Sequence, residues 1–201
     1  MDVAYSHTSV KIIGVSGGVS YGALGASHHS LHDIAVMRTF PGMNVYLPAD
    51  RFQTVRLTEF LVRSDEAAYV RLGLNAVPDV YNANDRFTLG KGNVLTEGQD
   101  VAIIATGETV YHALQAETEL RKYGVHAMVI DMHTLKPLDE KLILKAASLT
   151  GHILTVEEHS VYGGLGGAVA EIVAQNCPVK MRIVGIRSEE HTSELQSRQS
   201  I

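Results

Sequence analysis

"VKIIGVSGGVSYGALGASHHSLHD", residues 10–33, passes from a β-branched apolar run into a glycine-rich loop and then into paired histidines. A short apolar run closed by glycine predicts a buried strand over 10–15. The loop glycines let the backbone approach a neighbour closely and adopt φ > 0. After the loop the pattern predicts a helix over 27–38 with Ser27 as its N-cap. Strand, glycine loop and helix in that order open a parallel sheet, whose ligands bind beyond the carboxyl ends of the strands.

The same alternation continues along the chain. A strand is predicted over 41–48, a helix over 51–63 capped by Asp50, and a strand over 67–72. Residues 74–92 are polar and turn-rich, which places a domain boundary there, and "FTLGKGNVLTEGQD" (87–100) reads as a hairpin-prone connector. Strands over 100–106, 125–132, 152–158 and 179–186 then alternate with helices over 108–123, 139–149 and 163–176. This is an α/β chain with largely parallel sheets covered on both faces.

Composition narrows the class. The net charge is −5 with histidines neutral, and no block of Lys or Arg supplies the footprint of a nucleic-acid binder. The single cysteine, Cys177, has no partner for an internal disulfide, sits at a helix end and reads as structural. Neither a signal peptide nor an 18-residue apolar run occurs, so no membrane role is expected and a cytoplasmic location is.

Several motifs admit both a chemical and a bland reading. "GVSGG" (14–18) fits a nucleophile elbow around Ser16, with Asp131 and His159 as nominal partners, but further glycines deny it the immediate helix. "GGLGGAV" (163–169) lacks the third glycine of a dinucleotide loop; its glycines let a helix start close to a neighbour, and its N-terminus leaves a place for an anion. His28 and His32 share a helical spacing without a third metal ligand, so no metal site is assigned. His29 and Asp33 suit an ordinary i,i+4 pair. At a loop–helix junction beyond a strand, His28 is a candidate for ligand contact. Arg71, inside "AAYVRLG", either makes a salt bridge with Asp65 or Glu66 or offers its guanidinium to a carboxylate or phosphate.

Taken together, "VKIIGVSGGVSYGALGASHHSLHDIAVMRTFPGMNVYLPAD" (10–50) and "YVRLG" (69–73) resemble the second half of the transketolase pyrimidine-binding domain, especially in transketolases split into two subunits. "DVAIIATG", "MHTLKPLD" and "EEHSVYGGLGGAVAE" resemble the transketolase C-terminal domain. The resemblance implies part of a pyrimidine-binding domain over 1–73, a linker over 74–92 and a three-layer α/β/α C-terminal domain over 93–186. It further implies transfer of a two-carbon ketol unit from a ketose to an aldose, with thiamine diphosphate and Mg, and a place in pentose phosphate metabolism. His28 matches a family histidine that contacts the sugar donor and handles protons, with Ser27 beside it. Arg71 matches an arginine that grips the substrate phosphate. Gly17 and Gly18 would let the loop lie near the cofactor. The nearest rival readings are a deoxyxylulose-phosphate synthase, a 2-oxoacid dehydrogenase beta subunit, and a non-catalytic assembly module.

Departures from the family pattern are as informative. Ala23 and Leu24 stand where many transketolases carry an acidic pair that holds a sugar hydroxyl, which points to an unusual pentose or branched sugar. The diphosphate- and metal-binding motif is missing, so the cofactor is expected to be held mainly by an N-terminal partner subunit or by regions preceding Met1, and the fragment is expected to be inactive alone. "MDVAYS" reads as the end of a helix, and Met1 as an internal methionine or an arbitrary start. The last residues, "RSEEHTSELQSRQSI" (187–201), read as the translation of a DNA-sequencing adapter and are assigned no function.

Overall fold

A computed structural model describes residues 2–6 and 8–187. The tail reading therefore falls, from residue 188 onward, outside the described residues.

A short helix α1 (Asp2–Tyr5) precedes β1 (Lys11–Val15). Next come α2 (Asp33–Thr39), β2 (Asn44–Tyr46), α3 (Arg51–Arg63) and β3 (Ala68–Leu72). The second half supplies β4 (Asn93–Thr96), β5 (Val101–Ala105), α4 (Thr109–Arg121), β6 (Ala127–Asp131), β7 (Thr134–Lys136), α5 (Glu140–Thr150), β8 (His152–Ser160), α6 (Leu165–Asn176) and β9 (Lys180–Ile186). Local chemistry sets several ends. The Asp50 carboxylate accepts the Gln53 N–H at 2.9 Å to start α3, and Asp139 does the same for Leu142 at the start of α5. Gly151, at φ 65°, closes α5 in the left-handed conformation.

Two parallel-dominated sheets result. The first runs β1-β3-β2-β7 and the second β4-β6-β5-β8-β9. Around the second sheet the layers follow from alternation along β5. Ala102 and Ile104 pack with α5 and α6 residues such as Ile143, Leu165 and Val169, whereas Ile103 and Ala105 pack with Val110 and Ala113 of α4. The first cluster also takes in Ile34, Val45, Leu47 and Tyr69, so one core runs through both halves of the chain.

Strand β1 is an edge strand with Ile13 and Val15 exposed, where a buried strand is expected from the sequence, because only β3 pairs with it. The structure corrects the sequence reading at three further places. The helix predicted from Ser27 begins only at Asp33; residues 26–28 form a single 3-10 turn. The reason is a two-way backbone bridge, Gly18 N–H to Ser30 C=O at 3.0 Å and Ser30 N–H to Gly18 C=O at 2.9 Å, which keeps the chain non-helical at Ser30. His28 and His32 therefore do not share a helical face. Second, the connector forms no hairpin, because β4 pairs antiparallel with β6 rather than with its sequence neighbour β5. Third, β7, within "MHTLKPLD", leaves the second half to pair antiparallel with β2 of the first sheet.

The crossing from β4 to β5 depends on Gly98. A Cβ there would lie 2.5 Å from the backbone carbons of His126 and Ala127, which cannot move without disturbing β6. Gly98→Ala is expected to cost about 2 kcal/mol by overpacking, read as a lower urea midpoint with an unchanged slope.

Candidate active site

The carboxyl ends of the two sheets face each other. Gly17 follows β1, Leu47 follows β2, Arg71 lies near the end of β3 and Gly73 follows it; opposite them stand Thr106, Gly107 and Glu108 after β5 and Glu158 on β8. These residues enclose a small cavity of about 20 Å³.

Arg71 is the centre of this arrangement and is only 7% exposed. Its Nη2 donates to the Glu158 carbonyl at 2.5 Å, and its Nη1 lies 3.5 Å from Asp33 Oδ1. The predicted partners Asp65 and Glu66 are not used: Glu66 instead accepts from Asn44. Gly17 and Gly18 serve close approach here, since a Cβ at Gly17 would overlap the Arg71 side chain and one at Gly18 the Glu158 carboxylate. Glu158 Oε1 also accepts the Val19 N–H at 2.8 Å, so the glycine loop is fastened to the second half.

Ser27 and His28 lie exposed in the loop, with Ser27 Oγ 3.1 Å from His28 Nδ1 and the Tyr21 ring edge-on at 6.4 Å. The structure thus places Gly17, Gly18 and Arg71 together and keeps His28 with Ser27 on the loop's outer side.

The nucleophile-elbow reading dissolves. Ser16 does take up a φ of 65°, but Asp131 accepts from Gln53 Nε2 and Tyr81 OH, each at 2.7 Å. His159 is fully buried, with Nδ1 2.8 Å from the Ser160 carbonyl and Nε2 accepting the Ala35 N–H at 3.4 Å. Each side chain is committed to joining the halves. The place left for an anion at "GGLGGAV" is filled from within: Glu157 accepts the N–H groups of Leu165 at 2.6 Å and Gly166 at 2.7 Å, capping α6. Gly166 itself permits close contact, since a Cβ there would sit 2.5 Å from Ile183 of β9.

Sequence reasoning missed Asp33, Glu108, Asp131 and the pair Glu157–Glu158 as parts of this junction. One signal was present: "EEHS" puts acids at the end of an apolar strand, as "YVRLG" puts an arginine. Burial, and then the neighbouring Glu158, raise the pKa of the Glu108 carboxyl to about 7. Burial likewise raises Asp131 to about 7, against the opposing hydrogen bonds from Tyr81 and Gln53.

The raised Asp131 pKa couples stability to pH. Its folded pKa lies above the unfolded value of 3.8, so the folded state holds the extra proton between about pH 4 and 7. Its contribution is full below pH 4 and is lost as pH rises through 7. Asn imitates the protonated carboxyl, so Asp131→Asn should match the parent in urea unfolding just below pH 4 and exceed it at pH 8. Equal midpoints at pH 8 would contradict this.

Comparison with known proteins agrees with this architecture. Residues 90–196 match the transketolase C-terminal domain and residues 1–78 the transketolase pyrimidine binding domain. The chain belongs to the transketolase family. It is 59% identical over 190 residues to a subunit of the apulose-4-phosphate transketolase of Phocaeicola vulgatus, covering 94% of this chain and 61% of that protein. It is 42% identical over 187 residues to the 6-deoxy-6-sulfo-D-fructose transketolase subunit SqwH of a Clostridium species, covering 93% and 58%. The chain thus spans about three-fifths of the length of these transketolase relatives. A solved split gene transketolase, described as an inactive beta4 tetramer, superposes with a TM-score of 0.86 at 37% identity over 96% of this chain and 65% of that one.

The family implies thiamine diphosphate, whose diphosphate and metal need N–H donors and carboxylate or carbonyl ligands. The α6 N-terminus is already capped by Glu157, and no group of three or more His, Cys, Asp or Glu able to hold a metal occurs among the described residues. Diphosphate and metal do not fit the described residues by themselves, and no chemical step is derived through them. No helix among the described residues is long and apolar enough to cross a membrane.

Proposed function

We propose that this chain is part of a two-subunit transketolase that moves a two-carbon ketol unit from a ketose to an aldose. Supporting the reading is the family match in both halves, in transketolase order, together with relatives that are subunits of transketolases. In this reading thiamine diphosphate, with Mg, supplies the carbanion chemistry and is held chiefly by an N-terminal partner subunit and by residues beyond this chain. This chain contributes the substrate-facing rim. His28, oriented by Ser27, contacts the sugar and manages protons, Gly17 and Gly18 carry the loop past the cofactor, and Arg71 grips the anionic end of the sugar.

The names of the two relatives carry a phosphate and a sulfo group on their sugars, which supports an anion-bearing ketose as donor here. They do not point to the ordinary sugars of pentose phosphate metabolism, and the neutral Ala23–Leu24 pair agrees with a different sugar. A cytoplasmic location goes with this reading.

The test combines the complete subunit containing this chain with its N-terminal partner, thiamine diphosphate and Mg, and follows two-carbon transfer among ketose and aldose phosphates by mass spectrometry. Transfer by the complex, absent from either subunit alone, is the expected result. An assembled, cofactor-loaded complex that transfers nothing from any ketose phosphate would overturn it.

A further inference from the structure

The Arg71 guanidinium cannot swing freely. It is roofed by Gly17, where even a methyl group would overlap it, and Nη2 is committed to the Glu158 carbonyl at 2.5 Å. The third restraint comes from α2. Asp33 accepts the Tyr69 hydroxyl through Oδ2 at 2.6 Å, and this short bond fixes the carboxylate so that Oδ1 faces Arg71 Nη1 at 3.5 Å. Tyr69 is itself positioned tightly, since a Cβ at Gly14 would lie 2.5 Å from its hydroxyl oxygen. Asp33 and Arg71 are 11% and 7% exposed at the side chain, so the pair is shielded from water.

One detail separates this from an ordinary buried salt bridge. Among the described residues, Arg71 Nη1 and Asp33 Oδ1 make no hydrogen bond. The carboxylate sets the direction and charge balance of the guanidinium while Nη1, itself buried, keeps unspent donor capacity in a side chain that lines the cavity. A buried arginine whose every N–H was already bonded would have none to give.

We infer that Asp33, held by Tyr69, is a positioning residue for the reaction: it aims Arg71 at the anionic group of the sugar. The inference rests on the proposed role of Arg71 and goes beyond it by assigning the two residues that make that role geometrically possible. Neither touches substrate. Their contribution lies in binding of anion-bearing sugars and not in the chemical step.

The experiment uses the complete two-subunit enzyme with cofactor and compares a phosphorylated ketose donor with its unphosphorylated counterpart. Asp33→Asn removes the charge at nearly constant shape, Tyr69→Phe removes only the hydroxyl, and Arg71→Met reports on the arginine itself. Asp33→Asn is expected to raise KM for the phosphorylated donor on the order of tenfold, the scale of one hydrogen bond to a charged group, with kcat unchanged. Tyr69→Phe is expected to raise it less, and neither should alter KM for the unphosphorylated donor. Equal losses with both donors, or a fall in kcat alone, would overturn the inference by marking the pair as merely structural. So would an unaltered KM in Asp33→Asn alongside a raised KM in Arg71→Met, which would leave the role of Arg71 standing. An Arg71→Met enzyme with unaltered KM for the phosphorylated donor would instead overturn the role of Arg71 and this inference with it. If Asp33→Asn does not fold, Tyr69→Phe decides by the same comparison.

Discussion

Residues 1–89 expressed without the second half are expected to show no cooperative unfolding transition, whereas residues 1–187 should unfold as one unit. The dependence is built in at three levels. β7 supplies the antiparallel edge that protects β2, and its removal would leave that strand's backbone groups unpaired. Ile34, Val45, Leu47 and Tyr69 bury their side chains in a cluster shared with Ile104, Met132, Leu135 and Leu165, so truncation returns that face to water. Each large apolar side chain so exposed costs about 2 kcal/mol, and a handful of them exceeds the usual stability of a domain. Polar ties act in the same direction. Lys136 Nζ donates to the carbonyls of Arg38 at 2.8 Å and Phe40 at 2.5 Å at the end of α2, and Arg38 Nη1 donates to the Gly163 carbonyl at 2.6 Å. Calorimetry and near-UV circular dichroism on both lengths check this; a cooperative transition in residues 1–89 would show that the first half is autonomous.

Glu157→Ala is expected to be the most damaging single change. Glu157 is 3% exposed, and its carboxylate satisfies two backbone N–H groups that open α6, which no other side chain among the described residues caps. Alanine would strand two buried donors, each costing about 1–3 kcal/mol, so a total loss of about 3 kcal/mol is expected, enough to lower the melting midpoint by about 6–12 °C for a chain of this size. Glu157→Gln keeps one acceptor oxygen and strands one of the two donors, so it should lose about half of that. Burial raises the Glu157 pKa despite the opposing N–H bonds, so part of the parent's stability is lost as pH rises above the ordinary value of 4.5, whereas glutamine does not titrate. The deficit of the Gln variant is therefore expected to be smaller at alkaline than at mildly acidic pH. Urea midpoints for the three proteins at pH 5 and 8 check both the ranking and its direction.

Local sequence chemistry by itself determined the elements whose residues decide their own fate. The helix after Asp50 was legible because a capping carboxylate and an apolar period stand together, and the strand Lys11–Val15 because β-branched residues run into glycine, although its place at the exposed edge of the sheet was not. Arg71 stood out as a charge inside an apolar strand. What the sequence could not carry was the identity of distant partners. Whether Ser27 starts a helix is decided by a backbone bridge between Gly18 and Ser30. Three-residue β7 has no periodicity to announce it, and it is a strand only because β2 offers an unpaired edge. Likewise Arg71 found Asp33, not the nearer-in-sequence Asp65 or Glu66, and the anion place at α6 was taken by Glu157, eight residues before Leu165. Hydrophobic period and capping act over a few residues and are written in the chain. Burial of charge is settled by whichever opposite charge or N–H the folded backbone brings within bonding distance, and only the tertiary structure decides that.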